Sequence, residues 1–85
     1  MRLAVIGAGY VGLVSGACLS DFGHYVICLD KDTEKINKLN NGEVTIFEPG
    51  LEELVKKNVS SKRLSFSTNL VCGVEDAEVV FIAVG

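Results

Sequence analysis

Residues 7–12 read GAGYVG, and they follow a short apolar run, Leu3-Ala4-Val5-Ile6, within MRLAVIGAGYVGLVSG (residues 1–16). Each glycine inside a strand or helix costs roughly 0.5–1 kcal/mol relative to alanine. A G-x-G-x-x-G spacing at a strand–helix junction therefore needs an offsetting task. The run before the motif suits a strand covered on both faces and ended by Gly7. Residues 10–22 have helical spacing, with Val11, Val14, Cys18, Leu19 and Phe22 expected on the buried side and Gly23 as a left-handed cap. Tyr25–Leu29 is a second β-favouring run, and it ends at Asp30.

The glycines alone are a weak signal, but their setting is specific. A strand precedes them, a helix follows, the βαβ unit is about 30 residues long, and the expected acidic residue lies about 20 positions on. Here Asp30 stands 18 positions after Gly12. Each glycine then has a task in binding a dinucleotide. Gly7 permits the tight turn out of the strand. Gly9 lets the backbone approach a pyrophosphate. Gly12 lets the helix pack closely on the sheet. The N–H groups of Tyr10 and Val11, at the positive end of the helix, are expected to face the phosphates. Asp30 can accept hydrogen bonds from the ribose hydroxyls and would repel a 2′-phosphate, so NAD is expected over NADP. Lys31 and Lys35 stand close enough to bear on a phosphate, although Lys35 by itself reads as part of a solvated helix face.

The rest of the chain repeats the strand–helix alternation. Asp32 is an N-cap for a helix through about Leu39, with Ile36 and Leu39 inward, and Asn40-Asn41-Gly42 stops it. Residues 43–48 form a connection. Pro49 suits the first turn of a third helix, with Leu51, Leu54 and Val55 as its buried stripe. Glu52 and Glu53 would pair with Lys56 and Lys57 one turn on. Leu64–Ser67 reads as a strand, Thr68–Glu75 as a weak helix capped by Thr68, and Val79–Val84 as the most β-patterned segment. The order β-α-β-α-α-β-α-β implies α/β architecture with a mainly parallel, doubly wound, Rossmann-like sheet of strand order 3-2-1-4.

Composition sets bounds on the whole. The chain has 85 residues, of which 48% are hydrophobic, and its formal net charge is −3. A chain of this size buries only about 60% of its unfolded surface. So apolar a composition suggests a core continued by further chain or by a partner subunit. No basic run marks a nucleic-acid partner. Cys18, Cys28 and Cys72 are odd in number and lack C-x-x-C spacing, so neither a disulfide framework nor a metal site is expected. They read as small buried hydrophobes in a reducing cytoplasm. Glycines interrupt the amino-terminal apolar run too often for a signal peptide, and no stretch is long enough for a membrane span.

Three segments together, GAGYVGL, GHYVICLD ending at Asp30, and FEPGLEEL, resemble the amino terminus of the UDP-glucose/GDP-mannose dehydrogenases, and within them the branch that oxidises UDP-glucose. The likeness continues through RLSFSTNL and DAEVVFIAVG. It implies oxidation of the C6 alcohol of a nucleotide sugar to a carboxylate with two NAD+. The implied cofactor contacts fall on Gly7, Gly9, Tyr10, Val11 and Gly12, on Asp30 at the ribose and Lys35 beside it, and on Val84 and Gly85 at the start of the next loop. It also implies that residues 1–85 are the amino-terminal portion of the NAD domain. The remaining strands, the dimerising helix, the sugar-binding domain and the nucleophilic cysteine would lie beyond them, and the enzyme would be a homo-oligomer. No catalytic residue is then expected here, and neither His24 nor any of the three cysteines matches one. Glu48-Pro49-Gly50 reads as a helix start.

Two other readings stay open at this point. One is a different Rossmann dehydrogenase, of hydroxyacyl-CoA or 6-phosphogluconate type, against which FEPGLEEL argues. The other is a nucleotide-sensing module of the kind that gates potassium transport. The sequence stops at a strand without a polar tail, which is expected of a truncated chain. Alone it is expected to self-associate through the edge of its last strand and to be inactive.

Overall fold

The structure is a computed structural model that describes residues 1–44 and 46–83. Four strands, β1 (Arg2–Ile6), β2 (Tyr25–Leu29), β3 (Leu64–Ser67) and β4 (Val79–Ile82), form one sheet. All pairs are parallel and the spatial order is β3-β2-β1-β4, as expected. The helices are α1 (Tyr10–Asp21), α2 (Thr33–Asn40), α3 (Leu51–Ser60) and α4 (Leu70–Glu75).

Alternation along the strands sorts the side chains onto two faces. Leu3, Val5, Val26, Cys28, Leu64 and Phe66 fall on one face and join Leu13, Ala17, Leu51 and Val55 in the main core. Each large apolar side chain so covered contributes about 1.5–3 kcal/mol. The opposite face carries α4, whose Gly73 lies against the Leu29 side chain. The crossovers run one way through β1, β2 and β3 and then return past β1 to β4. The point where the order reverses lies between β1 and β4, and ligands of open α/β sheets bind there, beyond the carboxyl ends of the strands.

Several local expectations need correction. The buried side of α1 is Gly12, Leu13, Gly16, Ala17 and Ser20. Val11, Cys18 and Phe22 face outward, with Phe22 83% exposed. Close packing on the sheet selects small residues: a Cβ on Gly16 would come within 2.6 Å of Cys28 Sγ. Of the cysteines only Cys28 is buried, and Cys18 and Cys72 are exposed. Pro49 precedes α3 rather than opening it. Gly50 is the N-cap, at φ 81°, where a side chain is strained. Asn69, not Thr68, caps α4, accepting from the Cys72 N–H at 3.2 Å. Glu52 pairs with Lys56 at 2.9 Å, but Lys57 turns to Asp21 at 3.1 Å instead of Glu53. Asp32 caps α2 as expected, with Ile36 and Leu39 inward.

Strand β4 pairs with β1 only, and all four of its residues are exposed. It is an apolar edge. Among the described residues no helix is long and apolar enough to cross a membrane.

Candidate functional site

The loop between β1 and α1 stands at the carboxyl ends of the strands, at the point of reversal. Gly7 has φ 108°, which only glycine adopts without strain. Its N–H donates to the Leu29 carbonyl at 2.7 Å, so the turn stays joined to β2 as it leaves β1. A Cβ on Gly12 would collide with the Gly7 carbonyl oxygen, and would lie 3.4 Å from the Ala83 side chain at the end of β4. Gly12 is therefore required by the fold itself.

Gly9 differs. Its backbone is extended, at φ −78° and ψ −162°, a conformation open to any residue. A Cβ placed there would meet no atom within 4 Å. Nothing in the described chain requires glycine at this position. The first N–H groups of a helix have no intrahelical acceptor, and those of Tyr10 and Val11 meet none among the described residues. Open space above Gly9 and two free donors at a helix amino terminus fit an anionic group that approaches the backbone closely.

Asp30 completes the site from the end of β2. Its Oδ2 accepts from the Ala8 N–H at 3.0 Å, and its Oδ1 accepts from the Asp32 N–H at 3.0 Å. Lys35 Nζ lies 3.5 Å from Oδ2. Partial burial opposes the charged form, but the two N–H groups and Lys35 outweigh it and hold the carboxyl below its ordinary range. An ionised carboxylate offers about four acceptor positions. Three are engaged, by the Ala8 and Asp32 N–H groups and by Lys35 Nζ, and the remaining one is open to a hydroxyl donor. Sequence reasoning did not foresee that Asp30 also holds the glycine loop through Ala8. That contact follows from the pairing of β1 with β2, which a single sequence does not display.

Of the expected site residues, Gly7, Gly9, Tyr10, Val11, Gly12, Asp30 and Lys35 all lie at this end of the sheet. Val84 and Gly85 lie outside the described residues. His24 precedes β2, at the opposite end. The Cys28 thiol is pushed up to about 12 by burial, which leaves almost no thiolate nucleophile at neutral pH. A cleft of about 180 Å3 between Arg2, Tyr25, Arg63 and Asp76 also sits at the amino ends of the strands, away from the free donors. A second depression, of about 190 Å3, runs along α2 beside Lys35. Among the described residues no cluster could hold a metal ion.

Residues 1–85 match the family described as the UDP-glucose/GDP-mannose dehydrogenase family, NAD binding domain. The chain belongs to this family. Among relatives of this dehydrogenase domain, UDP-glucose 6-dehydrogenase of Rhizobium meliloti is 58% identical over 85 residues, all of this chain and 20% of that protein. UDP-glucose 6-dehydrogenase YwqF of Bacillus subtilis is 52% identical, again over all of this chain and 19% of its own length. Among solved structures, a ternary complex of GDP-mannose dehydrogenase from Pseudomonas aeruginosa superposes with TM-score 0.95 at 45% identity, covering 100% of this chain and 20% of that one. A UDP-glucose dehydrogenase from Pyrobaculum islandicum gives TM-score 0.93 at 39% identity, covering 99% and 19%. The chain thus spans about a fifth of the relatives it matches. Membership places the chain among nucleotide-sugar dehydrogenase NAD-binding domains rather than with the hydroxyacyl-CoA or 6-phosphogluconate dehydrogenases or the sensor modules.

Proposed function

We propose that this chain is the NAD-binding amino-terminal portion of a UDP-glucose 6-dehydrogenase. The longer protein oxidises UDP-glucose to UDP-glucuronate with two NAD+ in the cytoplasm, as a homo-oligomer. The observation that carries the binding role is the unconstrained Gly9 beside the free N–H groups of Tyr10 and Val11. The relatives' names support the substrate.

In this reading the Tyr10 and Val11 N–H groups and the dipole of α1 hold the pyrophosphate. Gly9 admits it, and Gly7 and Gly12 keep the loop tight against the sheet. Asp30 accepts from the adenosine ribose hydroxyls, and Lys35 stands beside it. For Val84 and Gly85 a cofactor contact rests on the family resemblance alone. Bound NAD+ supplies the hydride acceptor. The chain's described residues bind and orient; the nucleophilic cysteine and the sugar site belong to the rest of the protein.

Calorimetric titration of the full-length protein with NAD+ and NADP+ tests the assignment. A carboxylate close to a 2′-phosphate should favour NAD+ by roughly tenfold to a hundredfold. NADP+ binding that equals or exceeds NAD+ binding would overturn the role given to Asp30.

A further inference from the structure

The segment Ile46–Gly50 is not explained by α3 alone. Its Glu48 reaches the first residue of α1. The Tyr10 hydroxyl donates to Glu48 Oε2 at 3.0 Å, over a sequence separation of 38 residues. Both α1 and α3 precede the strands they feed, so both begin at the carboxyl end of the sheet, where the glycine loop lies. The strap itself is tightly folded. The Glu48 N–H donates to the Ile46 carbonyl at 3.2 Å, and the Glu48 carbonyl accepts from the Leu51 N–H at 3.0 Å. Pro49 has a fixed φ, and Gly50 sits at φ 81°. Glu48 is thus presented on a stiff turn rather than on a free loop.

We propose that Glu48 is a positioning residue for the dinucleotide site: by accepting from the Tyr10 hydroxyl it fixes the first turn of α1 and the aim of the Tyr10 and Val11 N–H groups. The inference rests on the glycine loop being the pyrophosphate site. A hydroxyl bound to a carboxylate is stronger than a neutral pair. Hydrogen bonding to Glu48, reinforced by its charge, pushes the Tyr10 phenol up, so it remains a donor throughout the neutral range. The contact ties the residue that follows Gly9 to a turn anchored on a second helix. The terminal turns of a helix are the parts that fray. Without the tie, NAD+ would have to order that turn as it binds.

The test compares Tyr10→Phe, Glu48→Ala, Glu48→Gln and the Tyr10→Phe/Glu48→Ala double variant in the full-length protein, with Gly9→Val beside them. NAD+ affinity is read by calorimetry, folding by melting without ligand, and turnover by steady-state kinetics. Tyr10→Phe and Glu48→Ala should each weaken NAD+ binding roughly three- to tenfold. The double variant should match the single ones rather than multiply them. Glu48→Gln, whose amide oxygen still accepts, should rescue affinity. The loss should fall on KM for NAD+ rather than kcat. Unchanged affinity in Tyr10→Phe and Glu48→Ala, or multiplicative losses in the double variant, would overturn the proposal. If Gly9→Val also leaves NAD+ affinity intact, the glycine-loop reading itself fails. If only Gly9→Val loses affinity, that reading stands and the role of Glu48 falls. Tyr10 and Glu48 are both exposed, so loss of folding should not obscure the result.

Discussion

The two ends of α1 are built on opposite terms. At its carboxyl end the polar groups are closed on one another. Asn58 is fully buried, and its Nδ2 donates to the Leu54 carbonyl at 2.9 Å and to Asp21 Oδ1 at 3.3 Å. Arg63 Nε donates to the Ser20 carbonyl at 3.1 Å and also reaches Asn58 Oδ1 at 3.4 Å. Lys57 closes the cluster on Asp21 at 3.1 Å. At the amino end the donors of Tyr10 and Val11 stay open, Gly9 faces empty space, and Asp30 keeps an acceptor position in reserve. A fold needs its buried polar groups satisfied. The Tyr10 and Val11 N–H groups lie on exposed residues, so the fold places no such demand on them, and in the proposed reading they stay open for an anionic ligand. The difference separates the end that holds the helix from the end that uses it.

The sharpest way to break this contrast lies within the motif itself. Gly12→Ala puts a Cβ onto the Gly7 carbonyl, which is backbone and cannot turn aside. It should destabilise the fold by about 3 kcal/mol or more, seen as a large drop in melting temperature or as insoluble protein. Gly9→Val meets no protein atom. It should leave the ligand-free melting temperature unchanged or slightly raised, because the unfolded chain loses freedom. It should also weaken NAD+ binding roughly tenfold or more by blocking the pyrophosphate. If both substitutions act on stability alone, Gly9 is a structural glycine and the open end has no special status.

The closed end gives a smaller effect of opposite kind. Asn58→Ala removes the acceptor that Arg63 faces and a donor to Asp21, inside the structure. Leaving such groups without partners should cost about 2–3 kcal/mol. Chemical or thermal unfolding should register it, while calorimetry should find NAD+ affinity unchanged. A matching loss of affinity would show that the two ends are coupled through α1 rather than divided by it.

The sequence made the open end more legible than the closed one. Gly7, Gly9, Gly12 and Asp30 carry a spacing that only a βαβ turn explains, and strand order followed from the alternation of elements. The buried face of α1 was misread because size was taken as the sign of burial. Val11, Cys18 and Phe22 outrank Gly12, Gly16 and Ser20 in apolar surface, yet the helix lies so close to the sheet that only small residues fit. The small residues recur at i, i+4 and i+8, and that period was the available signal. The Asn58–Arg63–Asp21 cluster had no such signal. Its members are scattered polar residues that become partners only when α3 packs on α1. Glu48 was hidden for the same reason, 38 residues from the tyrosine it holds.

The gentlest test uses acid, because each end has one carboxylate held below its ordinary range. Hydrogen bonds from Lys57 and Asn58 lower Asp21. For Asp30, partial burial is outweighed by the Ala8 and Asp32 N–H groups and by Lys35. A carboxyl depressed in the folded state stabilises fully above its unfolded value, near 3.9, and loses that contribution as pH falls through the lower folded value. Folding stability should therefore be flat, on these groups' account, from neutral pH to about 5, and should decline only below about 4. NAD+ affinity should hold over the same range, since Asp30 stays ionised. Asp21→Asn and Asp30→Asn separate the two carboxylates. Asp21→Asn should reduce the acid-dependent part of stability without touching affinity for NAD+. Asp30→Asn should lower NAD+ affinity at every pH, because a neutral amide is a weaker acceptor for ribose hydroxyls and offers fewer positions. Melting curves and NAD+ titrations between pH 3.5 and about 7 would distinguish the variants. If Asp21→Asn changed affinity as much as Asp30→Asn did, the division of α1 into a holding end and a binding end would be wrong.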